Sequence, residues 1–387
     1  MRIEEIKTPA YVIDEKKLRE NLEVLKRVQD ESGAKILLAQ KAYSVYQTYP
    51  LIADYLSGAT ASGLFEAKLA HEEMHSASFP DKKMENHVFE PAFDEEEMKE
   101  ICEICDHIVF NSLNQLEHHR NIWEKAYSEG KVSVGLRINP EYSTQDDHEI
   151  YDPCSEGSRL GIRLSDMPAE LPRGVEGIHF HTLCEQGFEP LEETFRAVEE
   201  KFGPYLTSIK WINLGGGHHI TREGYNIEGL ISLVKYIRER YSVEVYLEPG
   251  EAIALDAGYL VTTVMDIVRT ERMPVLILDT SAACHMPDVL EMPYRPPLKD
   301  SEEAGEMNYT YRLSSRTCLA GDIIGDYSFD TEKNIGDRLY FEDMAIYSMV
   351  KNNTFNGMPL PDIDIMYENG YVEVIKSFGY HNFKERL

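Results

Sequence analysis

The sequence predicts an α/β protein made of a (β/α)8 TIM-like barrel and a C-terminal, mostly antiparallel β domain. Short apolar segments alternate with amphipathic helical patterns through roughly the first 255 residues, which is typical of parallel strands covered by helices. The number of these units is close to eight, which favours a closed barrel over an open sheet. From about residue 256, strand-like segments separated by proline-rich turns replace the helical patterns.

Each barrel strand is predicted where a short apolar run lies between polar residues. In chain order these runs are KILLA (35–39), HIVF (107–110), VSVGLRI (132–138), VEGIHFH (175–181), IKWINL (209–214) and VEVYLEP (243–249). Helical patterns lie between them, for example LRENLEVLKRVQ and IEGLISLVKYIRERY. The β domain is predicted from YLVTTVMDIVRT, MPVLILDTS, DRLYFEDMAIYS and YVEVIKSF. The early segment TPAYVID (8–14) is also strand-like and could pair with these strands. We therefore expect a barrel over 15–256 and a β domain from 1–14 and 257–387.

The composition indicates a soluble, cytoplasmic protein. No apolar run approaches the ~20 residues of a membrane span, and the N-terminus is acidic and mixed rather than signal-like. The net charge of −29 argues against nucleic acid or a membrane as a partner, and it suits either a cationic ligand or simple solubility. Cys102 and Cys105 have C-x-x-C spacing, which fits two helix-packing thiols or a zinc or redox site; without a second pair we expect no metal.

Polar residues follow or close several predicted strands, where the active site of a βα barrel lies. Each has an ordinary explanation as a loop lysine, a satisfied histidine, a tight turn or a turn carboxylate. Together they suit pyridoxal phosphate, because a lysine amine bonds to the aldehyde and glycine N–H groups approach the phosphate. A histidine would stack on the ring and a carboxylate would keep the ring nitrogen protonated. The residues are Lys41, His181, Gly215, Gly216, Gly217 and Glu248.

These motifs resemble the fold type III pyridoxal phosphate decarboxylases, the alanine racemase-like barrel group that includes ornithine and diaminopimelate decarboxylases. The matching segments include ASGLFEA (61–67), GIHFH (177–181), LGGGH (214–218), LEPG (247–250), RTCLAGD (316–322) and MAIYS (344–348). The resemblance implies that Tyr347 donates to the phosphate and that Cys318 protonates the decarboxylated carbon. It also implies a homodimer, because the cysteine loop of the family reaches the active site of the partner subunit.

Further segments, among them AQKAYS, HFHTLCEQ and CHMPDVLEMPYRP (284–296), resemble members of this group that act on carboxylated polyamines. That resemblance implies a small cationic carboxylated polyamine as substrate. Its nitrogens would be held by Glu251, Asp288 and Asp322, with His285 as a further contact. Glu251 stands where many relatives have arginine, and Cys184 stands where the family has serine.

Three other functions remain open at this stage. One is decarboxylation of diaminopimelate or another basic amino acid, another is amino-acid racemisation, and the third is a non-enzymatic cofactor carrier or polyamine-binding module. His71, His118 and His119 lie in helical patterns, and we expect them to be exposed and without a role.

Overall fold

The computed structural model describes residues 1–145 and 152–387, and these divide into two compact units. We call residues 21–253 the barrel unit, and residues 1–20 with 254–387 the sheet unit. None of the helices in the described residues has the length and apolar character needed to cross a membrane.

The strands and helices follow one another in regular order. The strands are β1 Ala10–Asp14, β2 Lys35–Ala39, β3 Gly58–Ala61, β4 Glu85–Glu90, β5 His107–Phe110, β6 Ser133–Arg137, β7 Val175–His179, β8 Trp211–Asn213, β9 Glu244–Leu247, β10 Gly258–Val268, β11 Val275–Leu278, β12 Glu302–Glu303, β13 Tyr309–Ser315, β14 Ile323–Phe329, β15 Arg338–Phe341, β16 Asp362–Met366 and β17 Val372–Lys376. The α-helices are α1 Glu15–Ser32, α2 Tyr49–Tyr55, α3 Leu64–Glu73, α4 Glu95–Ile104, α5 Leu113–His118, α6 Arg120–Ser128, α7 Phe188–Leu206, α8 Ile227–Tyr241, α9 Glu251–Ala254, α10 Ala282–His285, α11 Asp288–Glu291 and α12 Tyr380–Glu385.

The barrel predicted from the alternating pattern is confirmed. Strands β2 to β9 of the described residues pair in parallel, each with the next, and β2 closes the ring by pairing with β9. The barrel interior is filled by Leu37, Val109, Trp211 and Tyr246. Trp211 lies so close to two neighbouring strands that a Cβ on Gly177 would come within 2.0 Å of its ring and one on Gly135 within 2.2 Å. These glycines therefore make room for the tryptophan.

A polar cluster lies at the amino ends of several barrel strands, opposite the predicted site. The Lys35 ammonium lies 2.6 Å from one oxygen of Glu85, and His87 Nε2 and the Tyr246 hydroxyl lie 3.0 and 2.9 Å from the other. The rings of His87 and His107 stack with their centroids 4.0 Å apart. Two imidazoles and a carboxylate could hold a metal, but here the carboxylate already has a cationic partner. We assign the cluster to closing this end of the barrel.

The sheet unit is built mainly from antiparallel pairs, as predicted. Its strands lie in the order β12, β14, β13, β11, β10, β1, β16 and β17, and β15 also pairs with β10. Strand β1 is antiparallel to β10 and parallel to β16. The early strand-like segment therefore does join the C-terminal strands.

The C-x-x-C pair and one of the helical histidines are buried. Cys102 and Cys105 pack in the apolar cluster that includes Met98 and Ile101, and burial raises the pKa of the Cys102 thiol to about 11. This environment fits two packing thiols. The prediction that His119 is exposed was wrong, because it lies at the junction of α5 and α6 and turns inward to place Nε2 3.1 Å from the carbonyl of Phe93.

Candidate active site

The carboxyl ends of the barrel strands surround one open cavity. Lys41 comes just after β2 and Arg137 ends β6. His181 follows β7, and Glu248 follows β9. All four line this cavity together with Phe89 and Gly216. The structure thus brings together the barrel residues that the sequence predicted at separate strand ends.

Glu248 is held in one orientation by two side chains. The Asn213 amide donates to one of its oxygens at 2.8 Å, and His179 Nε2 lies 3.1 Å from the other. Burial alone would raise the pKa of this carboxyl group, but interaction with His179 and the hydrogen bond from Asn213 lower it to about 2. Burial lowers the pKa of His179, so the imidazole is neutral at pH 7 and donates through Nε2. Glu248 is therefore a fixed, ionised carboxylate.

His181 is tied to the glycine loop. The backbone N–H of Gly216 donates to His181 Nδ1 at 2.9 Å, which requires an unprotonated nitrogen there. Burial, followed by the charges of Lys41 and Arg137, holds the pKa of His181 well below its ordinary value. The ring is consequently neutral, with its proton on Nε2, and it adds no further cation to the cavity.

The glycine loop leaves no room for side chains. Gly215 and Gly217 have φ values of +69° and +82°, which glycine adopts without strain. A Cβ on Gly216 would lie 2.1 Å from the carbonyl oxygen of Glu248, and one on Gly217 would lie 1.9 Å from that of Leu183. Backbone N–H groups in such a turn can approach an anion closely.

Lys41 lines the cavity, and its side chain is exposed there. Desolvation, and next the positive charge of Arg137, lower the pKa of its ammonium group. Arg137 is itself buried, which lowers its pKa to about 10, and its guanidinium lies 4.6 Å from the centre of the Phe89 ring. Glu66, in the first turn of α3, interacts favourably with Lys41 and accepts from the backbone N–H of Ser62 at 2.6 Å.

Several further predicted site residues lie in the sheet unit. Cys318 is exposed on the loop between β13 and β14, whereas Asp322 at the end of that loop is buried. Tyr347 is half-buried and follows β15 in a left-handed backbone conformation, with a φ of +46°.

The segment CHMPDVLEMPYRP contains the end of α10 and the whole of α11, and its polar residues already have partners. His285 is buried, with Nδ1 2.9 Å from the Thr280 hydroxyl and Nε2 3.0 Å from the carbonyl of Pro359. Asp288 is half-buried and pairs with Lys351. In the barrel unit, Glu251 lies 2.8 Å from His219 Nε2.

Sequence reasoning assigned no role to Arg137, Asn213 or Glu66. Arg137 and Asn213 are the last residues of β6 and β8, so the rule that pointed to Lys41 would also have found them. Glu66 lies inside the quoted segment ASGLFEA but on a helix, where a glutamate gives no distinct signal.

The cavity fits pyridoxal phosphate on the chemistry of its residues. It offers an amine with a lowered pKa, a glycine turn that a Cβ would fill, and a fixed ionised carboxylate. This combination on a βα barrel with a separate sheet unit is that of a pyridoxal phosphate enzyme. The family model described as "pyridoxal-dependent decarboxylase, C-terminal sheet domain" matches residues 10–345, and the chain belongs to this family.

Comparison with known proteins gives close full-length relatives within the family. The chain is 42% identical to the carboxynorspermidine/carboxyspermidine decarboxylase of Campylobacter jejuni, with 100% of both chains covered. It is 38% identical to the carboxyaminopropylagmatine decarboxylase of a Synechocystis species, covering 100% of this chain and 97% of the relative. The crystal structure of carboxynorspermidine decarboxylase complexed with norspermidine, from Campylobacter jejuni, superimposes with a TM-score of 0.89 at 41% identity, covering 99% of this chain and 100% of the other.

Proposed function

We propose that this enzyme decarboxylates carboxynorspermidine or carboxyspermidine, releasing CO2 and norspermidine or spermidine. The observation that carries the proposal is the meeting of Lys41, His181, Gly216 and Glu248 around one cavity. The substrate is inferred from the Campylobacter relative, which matches the whole chain. When bound, pyridoxal phosphate supplies an electron sink for the pair left on the substrate carbon as CO2 departs.

The barrel residues would bind and orient the cofactor. Lys41 would hold its aldehyde carbon, since a lowered ammonium pKa leaves more neutral amine to act as nucleophile. Glu248 would accept a hydrogen bond from the protonated ring nitrogen, for which a fixed carboxylate is suited. His181 would lie against the ring face, and Gly215, Gly216 and Gly217 would offer backbone N–H groups to the phosphate.

The sheet unit would supply the remaining groups. The Tyr347 hydroxyl would donate a hydrogen bond to the phosphate. The exposed thiol of Cys318 would return a proton to the carbon that lost CO2. We propose that this thiol acts in the site of a partner subunit, so that the active form is a homodimer. We also propose a cytoplasmic location, in keeping with cysteines that form no disulfide among the described residues.

The carboxylates predicted to hold substrate nitrogens differ in how available they are. Glu251 and Asp288 are half-buried, and each pairs with one basic group that a substrate ammonium could replace. We propose these two as substrate contacts. His285 has both ring nitrogens engaged, and burial lowers its pKa to about 4, so we propose that it supports the wall of the site as a neutral residue.

A substrate comparison tests the proposed function. The holoenzyme would be incubated in turn with carboxynorspermidine, carboxyspermidine, carboxyaminopropylagmatine and diaminopimelate, and CO2 release would be measured. We expect one of the first two to give the highest kcat/KM and diaminopimelate the lowest. The 38% identical Synechocystis relative makes carboxyaminopropylagmatine the second candidate, and a clear preference for it would replace our proposal. Turnover of diaminopimelate above all three polyamines would overturn both.

A further inference from the structure

Asp322 is an almost completely buried carboxylate at the end of the Cys318 loop, which we define as residues 316–322. Its exposed fraction is 1%. One of its oxygens accepts hydrogen bonds from the hydroxyls of Ser281, Ser315 and Thr317, each at 2.6 Å. The other accepts from the backbone N–H of Ala283 at 3.2 Å. A substrate ammonium would have to reach a buried oxygen and displace hydroxyls that already satisfy it.

These bonds join three segments of the sheet unit. Ser281 caps α10, Ser315 ends β13, and Thr317 is the second residue of the Cys318 loop that Asp322 completes. The loop is closed on itself as well, because the backbone N–H of Asp322 donates to the carbonyl of Leu319 at 3.0 Å. A single carboxylate thus fixes both ends of the loop and its distance from α10.

The backbone of Cys318 is held while its thiol stays accessible. The Cys318 N–H donates to the side-chain oxygen of Asn356 at 2.6 Å. In the same region, Asn353 donates to the carbonyl of Ala283, whose own N–H is bonded to Asp322. Cys318 is nevertheless exposed. The contacts therefore position a reactive group rather than bury it.

We propose that Asp322 is a positioning residue that holds the loop so that the Cys318 thiol is presented in a fixed place. The inference rests on the proposed function, in which Cys318 returns the proton, and it replaces the substrate contact expected for Asp322 from the sequence. Ser281, Ser315 and Thr317 share the role, since together they hold the carboxylate in place.

The first test is independent of activity. Hydrogen exchange followed by mass spectrometry would be compared between holoenzymes of the wild type and Asp322→Asn. We expect exchange in residues 316–322 to be at least about ten-fold faster in the variant and unchanged in the barrel strands. Asp326→Asn is the matched control, because Asp326 lies nearby on β14 but pairs with Arg312. In this control variant the Cys318 loop should exchange as in the wild type. Unchanged exchange in the Asp322 variant would overturn the proposal.

The second test separates positioning from substrate binding. Asp322→Asn should lower kcat about ten-fold or more with little change in KM, because the proton is returned after CO2 has left. In a Cys318→Ala background the same substitution should add less than a two-fold loss, since the positioned group is already gone. A raised KM that persists in that background would instead show a substrate contact and contradict the proposal.

Additional variants and the wild-type activity distinguish a failure of the positioning role from a failure of the proposed function. If Asp322→Asn does not fold, Ser315→Ala and Thr317→Val each remove one hydroxyl donor and should cause smaller changes in the same direction. A wild-type holoenzyme that releases no CO2 from any polyamine would refute the proposed function but leave the exchange result intact. Normal turnover with no difference in loop exchange would refute the positioning role alone.

Discussion

Lys41 lies where burial and the Arg137 guanidinium both oppose its positive charge. We expect Lys41→Ala to lose the long-wavelength absorbance of protein-bound pyridoxal phosphate, and CO2 release to fall by at least about 1,000-fold. Lys35→Arg is the control, because Lys35 starts β2, the strand that Lys41 follows. An arginine can keep its contacts with Glu85 and Glu244. Full activity in the Lys41 variant would remove this residue from the mechanism.

Asp364 makes the free energy of unfolding depend on pH. Asp364 is buried on β16, one of its oxygens has no hydrogen-bond partner among the described residues, and burial with the nearby charge of Asp362 raises its pKa to about 7. Lys7 opposes this rise but pairs with Asp362. The folded state thus binds this proton more tightly than the unfolded state, so the free energy of unfolding falls as pH rises from about 4 to 7.

Asp364→Asn removes that ionisation. We expect the variant to be more stable than the wild type at pH 8, with a gain about 1–2 kcal/mol larger than at pH 5.5. Urea unfolding at both pH values measures the difference. Asp330→Asn, at an exposed position, should show no such dependence. An equal effect of Asp364→Asn at both pH values would mean that the carboxyl group is already ionised in the folded protein.

At the residue scale, the sequence allowed the placement of Lys41 and Glu248 at one end of the barrel to be predicted, while their roles stay predictions. Lys41 and Glu248 are charged groups beside apolar strands, and a barrel sends all such ends to one face. The burial of Asp322 carried no such signal. Its donors Ser281 and Ser315 come from separate parts of the chain, and they approach it only once β11 and β13 pair.

Packing between strands explains why Gly135 and Gly177 are glycines, although neither has a positive φ. Gly177 on β7 faces Trp211 on β8, and a methyl group there would lie 2.0 Å from the indole. We expect Gly177→Ala to lower the free energy of unfolding by about 3 kcal/mol, because the large ring cannot move within the barrel. Denaturant unfolding measures the loss. Gly203→Ala on α7 is the control, since its new methyl group would meet nothing within 4 Å; a similar loss in both variants would contradict this explanation.

The elements that escaped sequence reasoning lacked a local pattern. Strand β3 is GATA, four small residues without alternation, and it is a strand because it pairs with β2 and β4. In the opposite direction, DRLYFEDMAIYS was among the β-rich segments of the predicted β domain, but strand β15 within it ends at Phe341. Acidic residues Glu342 and Asp343 follow, and Asp343 has a φ of +54°, which breaks the extended backbone.

At the scale of the whole molecule, the proposed chemistry draws on both compact units. Lys41 and Glu248 belong to the barrel unit, and Cys318 belongs to the sheet unit. If a homodimer shares its sites, a chain that lacks Lys41 and a chain that lacks Cys318 should complement each other. The symmetry of a two-fold dimer places both defects in one site and leaves the second site intact.

Mixing the Lys41 variant with a Cys318 variant of strongly reduced activity tests that arrangement. Lys41→Ala and Cys318→Ala would be combined in equal amounts under conditions that allow subunit exchange, and CO2 release would be followed. Random exchange makes half of the dimers mixed, each with one complete site, so we expect about 25% of wild-type activity. A mixture of Lys41→Ala with the double variant Lys41→Ala/Cys318→Ala is the control and should stay inactive. If the variants exchange subunits but the mixture is no more active than its parts, each chain must use its own Cys318.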